Sequence, residues 1–445
     1  MMNRNNILKC IAFPLLISVA VLLFGSRPIR TEPSVSDDYA AVNIYDTLTP
    51  ILLKPDTLSL YPFLRINENY IKDTCNTMEP FYNLLKNLAV RNISTSTVVP
   101  VLHIGDSHIQ PDILSGNVRK NLQAHFGNAG RGLIFPLKLA KTNEPADYAI
   151  QSATPWKALR LFRSGPKLQA GVAGNVLYTL NSRAALDISL TNNDYTHQFS
   201  RISVISSPNI RIWQGITDSD TFNFRPSGLS PYYHELTMPF SVKDIKLSVD
   251  KMPGRDSLFV YGIVLQTGNS GILYHNTGSN GACINDYLRT PVFLEQASAL
   301  NPKLIIVSLG TNEAASTSFS SDVFRRQLDN FCTELKSTCP DAVLLLTTPL
   351  GCGKRYYVNR KSVYKPIDNM KKVRNIIVDY AAENSIACWD LYTVAGGEIM
   401  EEWYETKLLS TDRMHCTWAG YRLQGNLLYE ALIKEYNKYV GNKLE

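Results

Sequence analysis

Four short blocks in this chain of 445 residues carry the residue types that acyl transfer requires. Gly105-Asp106-Ser107-His108 places a serine at the end of an apolar run, and Asp412-Arg413-Met414-His415 places an aspartate three residues before a histidine. Between them lie two small-residue stretches, Asn280-Gly281-Ala282 and Gly310-Thr311-Asn312-Glu313. An acyl-transfer site needs a nucleophile, a base, a group that orients the base, and donors for the developing oxyanion. Ser107 is the candidate nucleophile, His415 the base that takes its proton, and Asp412 the carboxylate that fixes the imidazole tautomer. The amides of Ser107 and Gly281, with the Asn312 side chain, are the candidate oxyanion hole, where a preorganised donor is worth about 3 kcal/mol of barrier. This chemistry calls for no metal and no organic cofactor.

Those groups must be presented by a scaffold, and the chain pattern supplies one. Val98–Ile104 is a short apolar, β-branched run of the kind buried on both faces of a sheet, so Ser107 follows a strand end, where α/β folds place their ligands. A helix is expected over Ile113–Phe126, and Gly127–Gly132 reads as a connecting loop. From Gly271 onward, strands at Gly271–His275, Lys303–Leu309, Ala342–Thr347 and Ile386–Leu391 alternate with helices at Ile284–Leu300, Ser321–Lys336, Asp368–Glu383 and Thr417–Tyr436. Such alternation predicts an α/β fold, a parallel sheet with helices on both faces. Between Thr142 and Gly268 the texture changes to short strand-like bursts separated by Gly, Pro, Asn, Asp and Ser. That pattern predicts an all-β sandwich or jelly roll inserted into the α/β domain. The expected organisation is a signal segment over 1–26, a polar spacer over 27–80, the α/β domain over 81–141 and 269–445, and the β insertion over 142–268.

At the N-terminus, Arg4 and Lys9 precede the apolar run Ile11–Phe24, and Arg27 and Arg30 follow it, the layout of an export signal. The run is short for a spanning helix, and no clear Ala-x-Ala site follows, so a cleaved signal and an uncleaved anchor are both open. The expectation is an exported protein of the periplasm or cell envelope, with a membrane tether as one option. A net charge of +6 is spread along the chain with no basic run that would mark a nucleic-acid tail. Outside the leader, seven cysteines show no CxxC pair and no zinc spacing. One or two disulfides would suit an oxidising compartment, and Cys332 and Cys339 are the nearest neighbours in sequence.

Taken together and in this order, the four blocks resemble those of the SGNH (GDSL-type) hydrolase superfamily. Two departures stand out: Glu313 replaces an aspartate, and His108 follows the Gly-Asp-Ser. Gly-Asp-Ser-His, Gly-Thr-Asn-Glu and the run from His415 to Tyr421 (His-x-Thr-x-x-Gly-Tyr), with a β region after the first block, resemble a narrower group. That group is the bacterial envelope enzymes that remove O-acetyl groups from peptidoglycan and related glycans, whose inserted β domain is similar to a carbohydrate-binding jelly roll. The resemblance implies a serine esterase acting on an acetylated glycan through an acyl-enzyme. A glycan O-acetyltransferase shares every residue named, and a catalytically silent glycan-binding protein is the alternative from another class.

The remaining candidates carry lesser roles. His108, beside the nucleophile, is a candidate substrate contact or a helix-start residue, and Asp106 is expected to brace the serine loop. His103 reads as a core histidine, and His197, His234 and His275 have no partner pattern. Trp156 and Trp213 could stack on sugars or fill the β core.

Overall fold

The strand that leads to Ser107, Val98–Gly105, is buried from Val99 to its end. Its side chains alternate across the sheet: Val99 and Val101 enter one apolar cluster, Leu102 and Ile104 the other. A strand so placed must have helices on both faces, and it does. The computed structural model describes residues 61–90, 97–191 and 198–441, apart from 209, 229, 253, 255, 256 and 360. The expected export segment Ile11–Phe24, most of the spacer and His197 lie outside the described residues.

The serine strand lies inside a seven-stranded sheet in the order Ile71–Lys72, Ala387–Trp389, Val343–Thr347, Leu304–Ser308, Val98–Gly105, Gly271–Gly278, Asn128–Gly130. Every neighbouring pair is parallel except Ile71–Lys72, which runs antiparallel on Ala387–Trp389 and makes the sheet mixed. One face is covered by helices Glu79–Ala89, Leu114–Phe126 and Trp418–Gly441 through residues such as Leu85, Val118 and Leu427. The other is covered by Ile284–Leu288, Pro291–Ala299, Ser321–Thr338 and Met370–Glu383 through Tyr287, Phe293, Phe331 and Val373. Each fully buried Leu, Ile or Phe of this kind stabilises the fold by about 1.5–3 kcal/mol.

The strands expected between Thr142 and Gly268 form two antiparallel sheets. One runs Thr221–Asn223, Ile210–Ile216, Asp244–Lys251, Arg183–Leu190, Tyr148–Gln151. The other is centred on Phe199–Ser206 and Leu258–Gln266 and takes in Gly132–Ile134 at the side. Arg183–Leu190 buries every second residue, the signature of a sheet with one solvent face. The buried faces of these sheets belong to the same apolar cluster as helices Pro291–Ala299 and Ser321–Thr338. Tyr233 Oη donates to the Gln296 carbonyl at 2.7 Å, and Val172 N donates to Gln296 Oε1 at 3.0 Å, so polar ties accompany the shared core.

Several local expectations change. The helix expected over Ile284–Leu300 is two helices, because Pro291 lacks an N–H and clashes with a preceding turn; it sits in the first turn of the second helix instead. The Gly127–Gly132 loop contains an edge strand, with Asn128 and Gly130 paired to Ile272 and Leu273. Residues 61–79, assigned by composition to a spacer, pack against the body: Asn69 is buried, donates to the Leu427 carbonyl at 3.0 Å and accepts from Trp389 Nε1 at 2.9 Å. Polar composition hid this segment because its anchors are hydrogen bonds as well as apolar contacts. Cys332 and Cys339 are not bridged, and all the described cysteines are free thiols. A hairpin, Gly353–Val358 with Lys361–Pro366, had no expectation at all.

Candidate active site

The backbone turns sharply after Gly105, and the residue type there follows from space. A Cβ at Gly105 would lie 2.2 Å from Ile109 Cγ1 and 3.1 Å from the Ser308 carbonyl oxygen. Tyr287 Oη donates to the Gly105 carbonyl at 2.6 Å, which fixes the last peptide before the turn. Asp106 is 1% exposed. Its Oδ1 accepts from the His108 amide at 2.9 Å, and its carbonyl accepts from the amides of Ile109 and Gln110. The aspartate of the first block therefore braces the serine loop, as its position suggested.

Ser107 and His415, 308 positions apart in the chain, meet with Oγ and Nε2 at 2.9 Å. His415 Nδ1 lies 2.7 Å from Asp412 Oδ2, and Asp412 Oδ1 accepts from the amides of Met414 and His415, both at 2.9 Å. Burial works to raise the Asp412 pKa, but the His415 side chain and the two amides outweigh it and hold the carboxyl well below its ordinary range. The same bond from Asp412 raises the His415 pKa above its usual value against the opposing effect of partial burial. An ionised Asp412 accepts a hydrogen bond from Nδ1–H and so keeps the proton on that nitrogen, which leaves the Nε2 lone pair facing the Ser107 hydroxyl. This is the arrangement that lets a serine lose its proton as it attacks a carbonyl.

The second and third blocks close around this pair. The Gly278 end of strand Gly271–Gly278 lies across from Gly105, so the Gly281 turn comes up beside the serine turn. Gly281 has φ +79, and a Cβ there would meet nothing within 4 Å, so backbone conformation, not crowding, favours glycine. Among the described residues no protein acceptor takes the Ser107 or Gly281 N–H. Asn312 Nδ2 donates to the Ala282 carbonyl at 2.9 Å and approaches Asp106 Oδ2 at 3.3 Å, joining the first three blocks. Glu313, the departure in the third block, accepts from the Ile284 amide at 2.7 Å; burial pushes its carboxyl up to about 7.

Other histidines separate cleanly from this site. His103 is buried between Tyr274 Oη and Ser308 Oγ, both at 2.7 Å, and burial lowers its pKa to about 3, a core residue as expected. The His275 ring is buried, and its nitrogens have no hydrogen-bond partner among the described residues. Trp213 is fully buried, its Nε1 donating to Ser206 Oγ at 2.9 Å, so it fills the β core. Trp156 is partly buried and donates to Ser152 Oγ. His108 stays at the site: its Nδ1 is 3.1 Å from Tyr421 Oη, and its ring centroid is 5.2 Å from that of His415.

Sequence reasoning gave Tyr421 a place in a motif but no role, and it passed over Gln110. Gln110 Oε1 accepts from the Asn280 amide at 2.9 Å, and its Nε2 donates to Thr142 Oγ1 at 2.8 Å, so it ties the second block to the serine turn. Its position two residues past His108 was the available signal. A recess of about 670 Å³ lies on the β region among Asp187, Asp218, Phe240 and Lys246, none of them a residue of the Ser107 site. The hydrogen-bond chain, not cavity size, marks the candidate reactive centre, because there a hydroxyl, an imidazole and a carboxylate that orients it converge.

Residues 259–423 match the family model of the GDSL-like Lipase/Acylhydrolase family. That span holds Gly281, Asn312, Asp412 and His415 but not Ser107, which the fold brings to them. A solved structure reported as "Peptidoglycan O-acetylesterase in action" is similar at TM-score 0.67 and 18% identity, over 83% of this chain and 99% of that one. An acetyl xylan esterase (20% identity, 36% of this chain and 81% of that one, TM-score 0.30) is also similar. So is an acetylxylan esterase from Geobacillus stearothermophilus, at 20% identity over 37% of this chain and 73% of that one, with TM-score 0.29. No curated protein sequence matches the chain significantly. The fold, a mixed sheet between helices, is similar to that of the solved peptidoglycan O-acetylesterase, and residues 259–423 carry the match to a GDSL-like acylhydrolase domain.

Proposed function

From an acylhydrolase domain of GDSL type completed by Ser107, we infer that this protein is a serine esterase that removes O-acetyl groups from a polysaccharide, peptidoglycan first among them. The observation that carries the reading is the continuous chain from Ser107 Oγ through His415 to Asp412. In the proposed cycle Ser107 Oγ attacks the acetyl carbonyl carbon while His415 Nε2 takes its proton. The oxyanion rests on the amides of Ser107 and Gly281 and on the Asn312 side chain, which would exchange one of its present acceptors for the substrate oxygen. Collapse of the intermediate breaks the bond to the sugar oxygen, which leaves with the proton from His415. A water, deprotonated by the same imidazole, then releases acetate from acetyl-Ser107.

The substrate class is supported by the similarity in fold to a peptidoglycan O-acetylesterase and by the block pattern that includes His108. We read residues 142–268 as an inserted β domain of glycan-facing type, and the charge-flanked apolar run Ile11–Phe24 as the export segment that delivers the chain to the envelope. No helix among the described residues is long and apolar enough to cross a membrane. The test is acetate release from a panel of acetylated glycans, with peptidoglycan first and the Ser107→Ala protein as control. Release from peptidoglycan that disappears in the control is expected. Transfer of acetyl to an added glycan without release would overturn the esterase reading.

A further inference from the structure

The hairpin Gly353–Val358 with Lys361–Pro366 is a sheet of its own, two strands with no third beside them among the described residues. An isolated hairpin is marginally stable in water, so one that also exposes large side chains is costly to keep for packing alone. Tyr356, Tyr357, Val358 and Val363 are 42%, 67%, 46% and 38% exposed. Among its described residues the hairpin carries Lys354, Arg355, Lys361 and Lys365, and no acidic residue falls within 353–366. Cations and open aromatic faces together are the chemistry of a surface that meets an anionic, ring-bearing ligand.

Its root is at the reactive centre. The Gly353 amide donates to the Arg413 carbonyl at 2.8 Å, between Asp412 and His415 in sequence. On the other side, Lys354 Nζ donates to the Ala315 carbonyl at 3.2 Å, at the end of the short helix that holds Asn312. The hairpin thus rises from between the block that supplies the base and the block that supplies an oxyanion donor.

Register gives it two distinct faces. Arg355 pairs with Tyr364, and Tyr357 with Ser362, so these four side chains share one face, while Lys354, Tyr356, Val363 and Lys365 share the other. On the first of these faces Tyr364 packs against Arg413, whose guanidinium carbon lies 4.9 Å from the ring centroid, so this face is stacked on the loop that carries Asp412 and His415. On that same face the Arg355 guanidinium sits over the Tyr357 ring, its carbon 5.4 Å from the centroid. Tyr357 and Arg355 therefore continue, outward and exposed, the face whose base is stacked on the catalytic loop.

We propose that this hairpin is a glycan-binding arm, and that its Arg355–Tyr357 face recognises a carboxylate-bearing sugar strand beside the ester held at Ser107. The proposal rests on the esterase reading and deepens it. Tyr357 offers a ring for a sugar face, and Arg355 a planar fork for a carboxylate such as those on the lactyl and peptide groups of peptidoglycan. A neutral acetylated glycan would use the ring but not the fork.

The experiment compares the full-length protein with the double variant Arg355→Gln, Tyr357→Ala on three substrates: a small chromogenic acetyl ester, acetylated xylan, and acetylated peptidoglycan strands. The expected result is a fall in kcat/KM of about tenfold on peptidoglycan, carried by KM, with the small ester unchanged and xylan affected less. Co-sedimentation with insoluble peptidoglycan is measured in parallel and is expected to weaken in the variant. Equal loss on all three substrates, or unchanged rates and unchanged sedimentation, would overturn the arm. A variant that loses affinity for anionic lipid vesicles while deacetylating peptidoglycan normally would overturn it in favour of a membrane-facing hairpin. If the wild type cleaves no acetyl ester yet sediments through the hairpin, the esterase reading fails and the arm stands.

Discussion

The two halves of the reactive pair are held in opposite ways. Ser107 follows a strand buried at every residue from Val99, its turn braced by an aspartate that is 1% exposed and by Tyr287 on the Gly105 carbonyl. Asp412 and His415 sit on a surface loop, with side chains 51% and 37% exposed. That loop is closed by a bridge between Leu409 and Cys416 and by its own short hydrogen bonds. The nucleophile is thus placed by the core of the fold, the base by local geometry. Changes that crowd the buried end of the serine strand should therefore reach stability, and changes in the histidine loop should reach rate alone.

The largest effect expected is on the nucleophile itself. Ser107→Ala should reduce turnover of a chromogenic acetyl ester by about a millionfold, because triad members act as a unit. Its melting temperature should be close to wild type; a residual rate near wild type would break the assignment. Asp412→Asn, on the surface loop, should cost about 10,000-fold in kcat through the wrong His415 tautomer, with stability little changed because both groups are solvated. The pH profile sharpens the same point. His415 must be neutral to accept the serine proton, and Asp412 raises its pKa, so the acidic limb of kcat/KM should lie above 6.5. In the Asn variant that limb should move to lower pH, and an unmoved limb would mean that another group titrates.

Asn312→Ala should lower kcat by about 100- to 1000-fold, the cost of one oxyanion donor. Because Asn312 also ties Ala282 to Asp106, a small loss of thermal stability should accompany it, measured by the same melt. Smallest in rate but largest in stability is Gly105→Ala. The added methyl meets Ile109 Cγ1 at 2.2 Å, and overpacking of this kind costs about 1–3 kcal/mol in denaturant unfolding. Unchanged stability in that variant would contradict the core-held description of the serine turn.

The same contrast explains what could be read from the chain. Val98–Ile104 and Lys303–Leu309 were legible as strands because residues buried on both faces leave continuous apolar runs, and the structure has strands Val98–Gly105 and Leu304–Ser308. Each block stood out because small residues interrupt those runs where a strand ends. The family match begins at residue 259, within the last of the β strands that separate Ser107 from the rest, so the serine is legible only from its own strand. What stayed hidden rests on partners distant in sequence. Tyr421 acquires a role only because the last helix brings it to His108, and Gln110 because it reaches Asn280. The hairpin at Gly353–Pro366 gave no apolar run or periodicity, since most of it faces solvent.

The central claim, that Ser107 carries the acyl group, is tested most directly by trapping it. The protein is mixed with a chromogenic acetyl ester, quenched in acid within the first turnovers, digested, and its peptides weighed. One acetyl group on the peptide that contains Ser107, absent from the Ser107→Ala protein, is the predicted result. Sustained hydrolysis with the acetyl group on another residue would contradict the account.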